Sequence, residues 1–295
     1  MSFDAKSLLL IALGLIAIFH VSTLVSAYRR TRLAASATGE VAPTPMGLGI
    51  GFITSFWDTL GIGSFAPTTA LFRFFKTVPD EQIPGTLNVG HTLAAIVQSF
   101  IFTQAVDVDA TTLIAMIVAA TVGAWLGAGV VSSWPRRRVQ NGKGHCLLGA
   151  AVLTIAQITG QFPGGGEALG VRGATLGFAL VANFFLGALM TLGIGLYGPC
   201  LILVSLLGMN PKAAFPIMMG SCAFLMPIAS AKFLTTGRFN WRASLGLIIG
   251  GLPAVLIAAF IVKSLPLTAV RWLVVVVVAY TAITLLRSAR AEQAA

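Results

Sequence analysis

The 295 residues include 57% hydrophobic and only 9% charged positions, with a mean hydropathy of +0.91 and a net charge of +10. Soluble globular domains carry about 25% charge, so this composition excludes a water-soluble fold. The basic residues gather on no single face or tail, which argues against a nucleic-acid partner; they punctuate the gaps between apolar runs, as cytoplasmic loops do.

The apolar runs are continuous rather than alternating, and several approach the roughly 20 residues that cross a bilayer as helix. Backbone groups in lipid must be satisfied internally, which leaves helices or closed barrels. An all-α polytopic membrane protein is predicted, with membrane lipids as its surroundings. The first run, residues 7–28, is too long for a signal-peptide core and lacks a charged leader. With Arg29, Arg30 and Arg32 directly after it, residues 1–32 read as a retained N-terminal transmembrane helix whose C-terminal end is cytoplasmic.

Next along the chain comes an internal repeat. Thr59-Leu60-Gly61-Ile62-Gly63 recurs letter for letter as Thr191-Leu192-Gly193-Ile194-Gly195, 132 residues later (191 − 59). In the same register Pro67, Pro79 and Pro84 fall on Pro199, Pro211 and Pro216. The chain therefore reads as a first repeat over 46–160, a linker over 161–173 and a second repeat over 174–287. Apolar segments are expected at 46–59, 64–77, 85–105, 111–132 and 144–159, then at 174–191, 196–209, 217–235, 244–264 and 267–286. The first two of each half are mostly too short to span alone and meet at Leu-Gly-Ile-Gly, whose glycines permit an unwound turn. Gly164, Gly165 and Gly166 read as a flexible connector.

Charge assigns the sides. Arg136, Arg137, Arg138, Lys143, Arg238, Arg242, Arg287 and Arg290 fall on the cytoplasmic side with Arg29, and the C-terminus with them; Asp107 and Asp109 fall outside. The equivalent loops holding Asp107 and Arg238 thus lie on opposite faces, so the repeat is inverted. Inverted repeats with broken helices recur in secondary transporters, where half-helix N-termini favour an anion near the midplane.

This places a substrate-binding site at the two breaks. Gly61, Gly63, Gly193, Gly195 and Gly198 allow close approach to backbone, and Ser64, Thr68, Thr69, Tyr197 and Thr191 are candidate neutral donors. Pro67 and Pro199 fall in the first turn of each short helix, where a missing N–H costs little. Asp58, an acid inside an apolar segment, and His91, beside Asn88, are candidates for coupling to protons, with a cap and a packing role as their structural alternatives. Lys232 reads as a snorkelling base near a helix end. Cys146, Cys200 and Cys222 form no disulfide framework, and no C-x-x-C or H-E-x-x-H occurs, so neither metal nor cofactor is expected. Asp58 and His91 do not make a catalytic cluster, which leaves an enzyme behind a transporter or an anion channel. Nothing in the sequence bears on an oligomer.

Leu60 to Pro67, followed by Pro84, Gly85 and Thr86, and its return as Leu192 to Pro199 with Pro216, Gly220 and Ser221, resemble the TauE/SafE sulfite-exporter family. Gly237-Arg238-Phe239-Asn240-Trp241 is similar to that family's second half. The resemblance implies a bacterial inner-membrane transporter of sulfite, sulfonates or related small organic anions.

Overall fold

The structure is a computed structural model that describes residues 4–34, 42–132, 166–190 and 195–264. The expected segments 144–159 and 267–286, the basic residues Arg136, Arg137, Arg138, Lys143, Arg287 and Arg290, and Thr191 to Ile194 lie outside the described residues. Among those described, nine α-helices run in order: α1 Ala5–Ala34, α2 Pro45–Thr59, α3 Phe65–Phe75, α4 Ile83–Ala105, α5 Ala110–Ser132, α6 Gly173–Met190, α7 Tyr197–Leu206, α8 Ala214–Thr236 and α9 Trp241–Ser264. Four spans, Ala5–Thr31, Gly173–Met190, Pro211–Thr236 and Trp241–Ile261, are long and apolar enough to cross a membrane. The protein is a helical membrane protein. By contrast α2, α3 and α7, at 15, 11 and 10 residues, fall short of the roughly 30 Å hydrocarbon core at about 1.5 Å per residue.

Two compact units interleave along the chain. The first takes α1 to α4, the end of α8 and most of α9; the second takes Leu60–Ile62, α5, α6, α7 and the start of α8.

In the first unit glycine brings backbones into contact. A Cβ on Gly250 would overlap the Leu48 carbonyl, and one on Gly51 would lie 2.7 Å from the Leu247 Cα, so α2 and α9 touch along their small faces. One end of this unit is a polar and aromatic knot. Trp241 Nε1 donates to Thr31 Oγ1 (3.1 Å), its ring meets Tyr28 edge-on at 5.7 Å, and Arg242 Nε donates to the Ala42 carbonyl (3.2 Å). There too the Asn240 amide donates to Thr86 Oγ1 at 3.0 Å, and a Cβ on Gly85 would overlap the Arg238 carbonyl. The Gly85-Thr86 pair therefore seats the loop that opens α9. Asn240 Oδ1 caps that helix by accepting from the Ala243 amide.

In the second unit α5 and α6 are the closest pair. A Cβ on Gly123 would overlap the Phe184 carbonyl, and one on Gly187 the Ala120 carbonyl. Asn183, buried between them, donates to the Met116 carbonyl at 2.7 Å. Around the start of α5, the Asp109 amide donates to the Leu169 carbonyl, while Thr112 Oγ1 accepts from the Val171 amide. Gly166 is held rather than free: its amide donates to the Met209 carbonyl, and a Cβ there would overlap the Gly208 carbonyl. Composition alone marked this residue as part of a flexible connector; the tie comes from a loop some forty residues on.

Asp109 caps α5 through the Thr112 amide (2.9 Å) and pairs with Arg172 (3.0 Å). The Thr112 amide first, then the Thr112 hydroxyl and Arg172, hold its carboxyl below the usual value against a smaller opposing effect of burial. A depressed carboxyl stabilises the fold above the ordinary carboxylate range and loses that contribution as pH falls through its native value. Asp109→Ala is expected to cost about 1 kcal/mol, the usual effect of losing a cap, and Asp109→Asn much less. Thermal melts at neutral pH check this, and the difference between wild type and Asp109→Ala is expected to shrink in acid.

Candidate functional site

The first break has the expected form. α2 ends at Thr59 and α3 begins at Phe65. Between them Gly61 (φ 94°) and Gly63 (φ 87°) adopt left-handed backbone that residues with a Cβ rarely enter. Gly61 is buried, and a Cβ there would press on Leu201 and Met218. Ser64 stands at the N-cap of α3 without a side-chain cap bond, and the first helical bond runs from the Thr68 amide to the Ser64 carbonyl. Pro67, third in the helix, has no N–H to orphan. The Phe65 and Ala66 amides are thus left at an N-terminus whose dipole favours negative charge.

The second short helix opens in the same frame. Leu196 is the N-cap of α7, again without a side-chain cap bond, Pro199 stands third, and the Cys200 amide makes the first bond to the Leu196 carbonyl. Tyr197 and Gly198 are buried, while Gly195 is exposed with open space around its α-carbon. Gly193 and Thr191 lie outside the described residues.

Two polar rungs tie the first break to α4. In the lower rung His91 reaches both arms of the broken helix: Nδ1 lies 3.4 Å from Ser55 Oγ on α2, and Nε2 lies 3.0 Å from Thr68 Oγ1 on α3. Thr68 gives its hydroxyl proton to the Ser64 carbonyl at 2.7 Å. It can therefore only accept from His91, which makes Nε2 the protonated nitrogen and Nδ1 the acceptor for Ser55. The Phe65 ring lies against the imidazole at 6.3 Å. In the upper rung Gln98 Nε2 donates to Asp58 Oδ2 (3.0 Å) and to Thr59 Oγ1 (2.8 Å). Thr59 gives its own proton to the Ser55 carbonyl, so both neighbours of Gln98 need a donor and the amide must turn its NH₂ toward them. All the side chains of these rungs are buried.

Several expectations change in detail. Thr68 and Thr69 use their hydroxyl protons inside α3, on the Ser64 and Phe65 carbonyls. As donors to a substrate they are preceded by the helix's own amides. Asn88 bonds the Pro84 carbonyl of its own helix rather than His91. Lys232, in the last turns of α8, is exposed. Asp58 and His91 stand on separate rungs. Gln98 and Ser55 were not singled out from the sequence, although Gln98, a buried amide in an apolar run seven residues after His91, falls on the same face of α4.

No family model, curated protein or solved structure matches this chain.

Proposed function

We propose that this protein is a secondary transporter that moves a small anion across the bacterial inner membrane by alternating access. The observation that carries this reading is the shared frame of α3 and α7. Each is a short helix with an N-cap lacking a side-chain cap bond, two leading amides and a proline third, at positions 132 apart. In this reading each half offers one such N-terminus to the substrate, as discontinuous helices do in transporters of repeated architecture. An anion suits the dipole and the amide groups of such an end.

The inverted repeat gains support from each unit separately. In the first, Thr31, Ala42 and Gly85 gather at one end with the 238–242 loop, whose Arg238 and Arg242 charge assigns to the cytoplasm together with Arg29 to Arg32. In the second, Asp109, which charge assigns outside, pairs with Arg172, and Asn210 donates to Glu167 in the neighbouring loops. The resemblance to sulfite exporters narrows the anion to sulfite or an organosulfonate. Asp58, held by Gln98 beside the break, is the group we assign to proton coupling.

Flux into proteoliposomes, with sulfite, sulfoacetate, sulfate, taurine and simple carboxylates tested with and without a pH gradient, checks the assignment. Saturable, gradient-driven movement of at least one anion is expected, with Asp58→Asn losing the dependence on the gradient. Movement of none of them contradicts the substrate class. Full gradient dependence in Asp58→Asn contradicts the role given to the carboxylate.

A further inference from the structure

Outside both breaks, α1 carries an imidazole in the middle of its apolar length. His20 is fully buried although most of α1 is not, and neither ring nitrogen has a hydrogen-bond partner among the described residues. The hydroxyls beside it are engaged with backbone: Ser22 donates to the Phe19 carbonyl and Thr23 to the His20 carbonyl.

What faces His20 follows from the packing. Leu13 of α1, Ile96 of α4 and Ala223 of α8 form one core cluster. α1 and α8 run in the same direction, because Tyr28 and Thr31 near the end of α1 meet Trp241, which lies just beyond the end of α8. α4 runs the opposite way, since Gly85 near its start abuts Arg238 and Phe233. Seven residues make nearly two full turns, about 10 Å of rise with only about 20° of drift. Moving seven residues from the cluster toward the Trp241 end leads from Leu13 to His20, from Ala223 to Ser230 and, backward on α4, from Ile96 to Val89. All three are buried.

Ser230 shares the peculiarity of His20. Its hydroxyl is buried and has no partner among the described residues, not even a carbonyl one turn back in its own helix. One turn before it, Pro227 interrupts α8 and supplies no N–H to the Ala223 carbonyl. One level between α1 and α8 therefore holds an imidazole with a donor and an acceptor and a hydroxyl with both, while the carbonyl freed by Pro227 lies toward the Leu13 cluster. Polar groups so placed in an apolar interior are costly unless bonded, and a buried water that makes about three hydrogen bonds is the usual answer.

We propose that His20 and Ser230 bind a water molecule between α1 and α8, a hydrated site in the membrane interior separate from the breaks. The water bonds the imidazole and the Ser230 hydroxyl and ties the first helix to the rest of its unit. The inference does not depend on what the protein transports.

Water-edited solid-state NMR on ¹⁵N-histidine-labelled protein in lipid bilayers tests it, with the His20 signal identified among three histidines by its loss in His20→Gln. A direct transfer from water to the His20 ring is expected. Ser230→Ala removes one of the water's few anchors and is expected to weaken that transfer by about threefold or more, while Ser230→Thr, which keeps the hydroxyl, retains it. Absence of transfer in the wild type, or transfer unchanged by Ser230→Ala, would overturn the site.

Discussion

Gly123→Leu is expected to abolish the folded protein, the largest effect of any single change considered. The atoms a Cβ would overlap at Gly123 belong to the Phe184 carbonyl, and the reciprocal contact at Gly187 involves the Ala120 carbonyl. A side chain in the way can swing aside, which is why overpacking commonly costs about 1–3 kcal/mol. Here the neighbours are helix backbone, so α5 and α6 must move apart along their length. Separation also breaks the bond from Asn183 to the Met116 carbonyl and leaves that amide buried without its acceptor. Small residues are what allow membrane helices to approach this closely. Gly177→Leu on the same α6 is the control: nothing lies within 4 Å of a Cβ there and the residue is exposed. It is expected to stay within about 0.5 kcal/mol of the wild type. Size-exclusion profiles and melting in detergent separate the two: aggregated or absent protein for Gly123→Leu, a normal profile for Gly177→Leu.

Gln98→Leu should come next in size, ahead of His91→Leu. The Gln98 amide serves two buried acceptors at once, Asp58 Oδ2 and Thr59 Oγ1. A buried polar group left without its partner costs about 1–3 kcal/mol, and Gln98→Leu leaves two of them. The imidazole of His91 makes two neutral contacts, one of them long at 3.4 Å. When it is removed, Thr68 keeps its bond to the Ser64 carbonyl, and the Ser55 hydroxyl loses only the long contact. Loss of stability on melting is therefore expected to be larger for Gln98→Leu, by about 1 kcal/mol or more. In the proposed transport role the order reverses, because His91 joins both arms of the broken helix. Flux at least tenfold below wild type is expected for His91→Leu even where the protein melts normally.

Much of this architecture is legible in the sequence, for reasons that are local. Apolar runs bounded by glycine, proline and charge give α2, α5 and α9 to within three residues of their ends, since length and hydropathy are properties of the run itself. The Leu-Gly-Ile-Gly break is legible because positive φ selects glycine, and Gly61 and Gly63 adopt it. α8 starts earlier than expected, at Ala214 rather than 217. There the Asn210 side chain caps a 3₁₀ turn, Pro211–Ala213, that leads directly into the helix.

What is hidden is pairing across the chain. Gln98 meets Asp58 over 40 residues of sequence, and no spacing rule relates them. Gly123 and Gly187 read as small residues, but nothing in either segment names the other as partner. The burial of His20 depends on α4 and α8, which lie far along the chain.

The inversion of the two halves, on which the whole transport reading rests, is tested most directly by single-cysteine accessibility at positions 107 and 238. With Cys146, Cys200 and Cys222 replaced, each probe is labelled by a membrane-impermeant reagent in right-side-out and inside-out vesicles. The cysteine at 107 is expected to react from outside only and the one at 238 from inside only. Labelling of both from the same face would contradict the inverted repeat, and with it the transport reading.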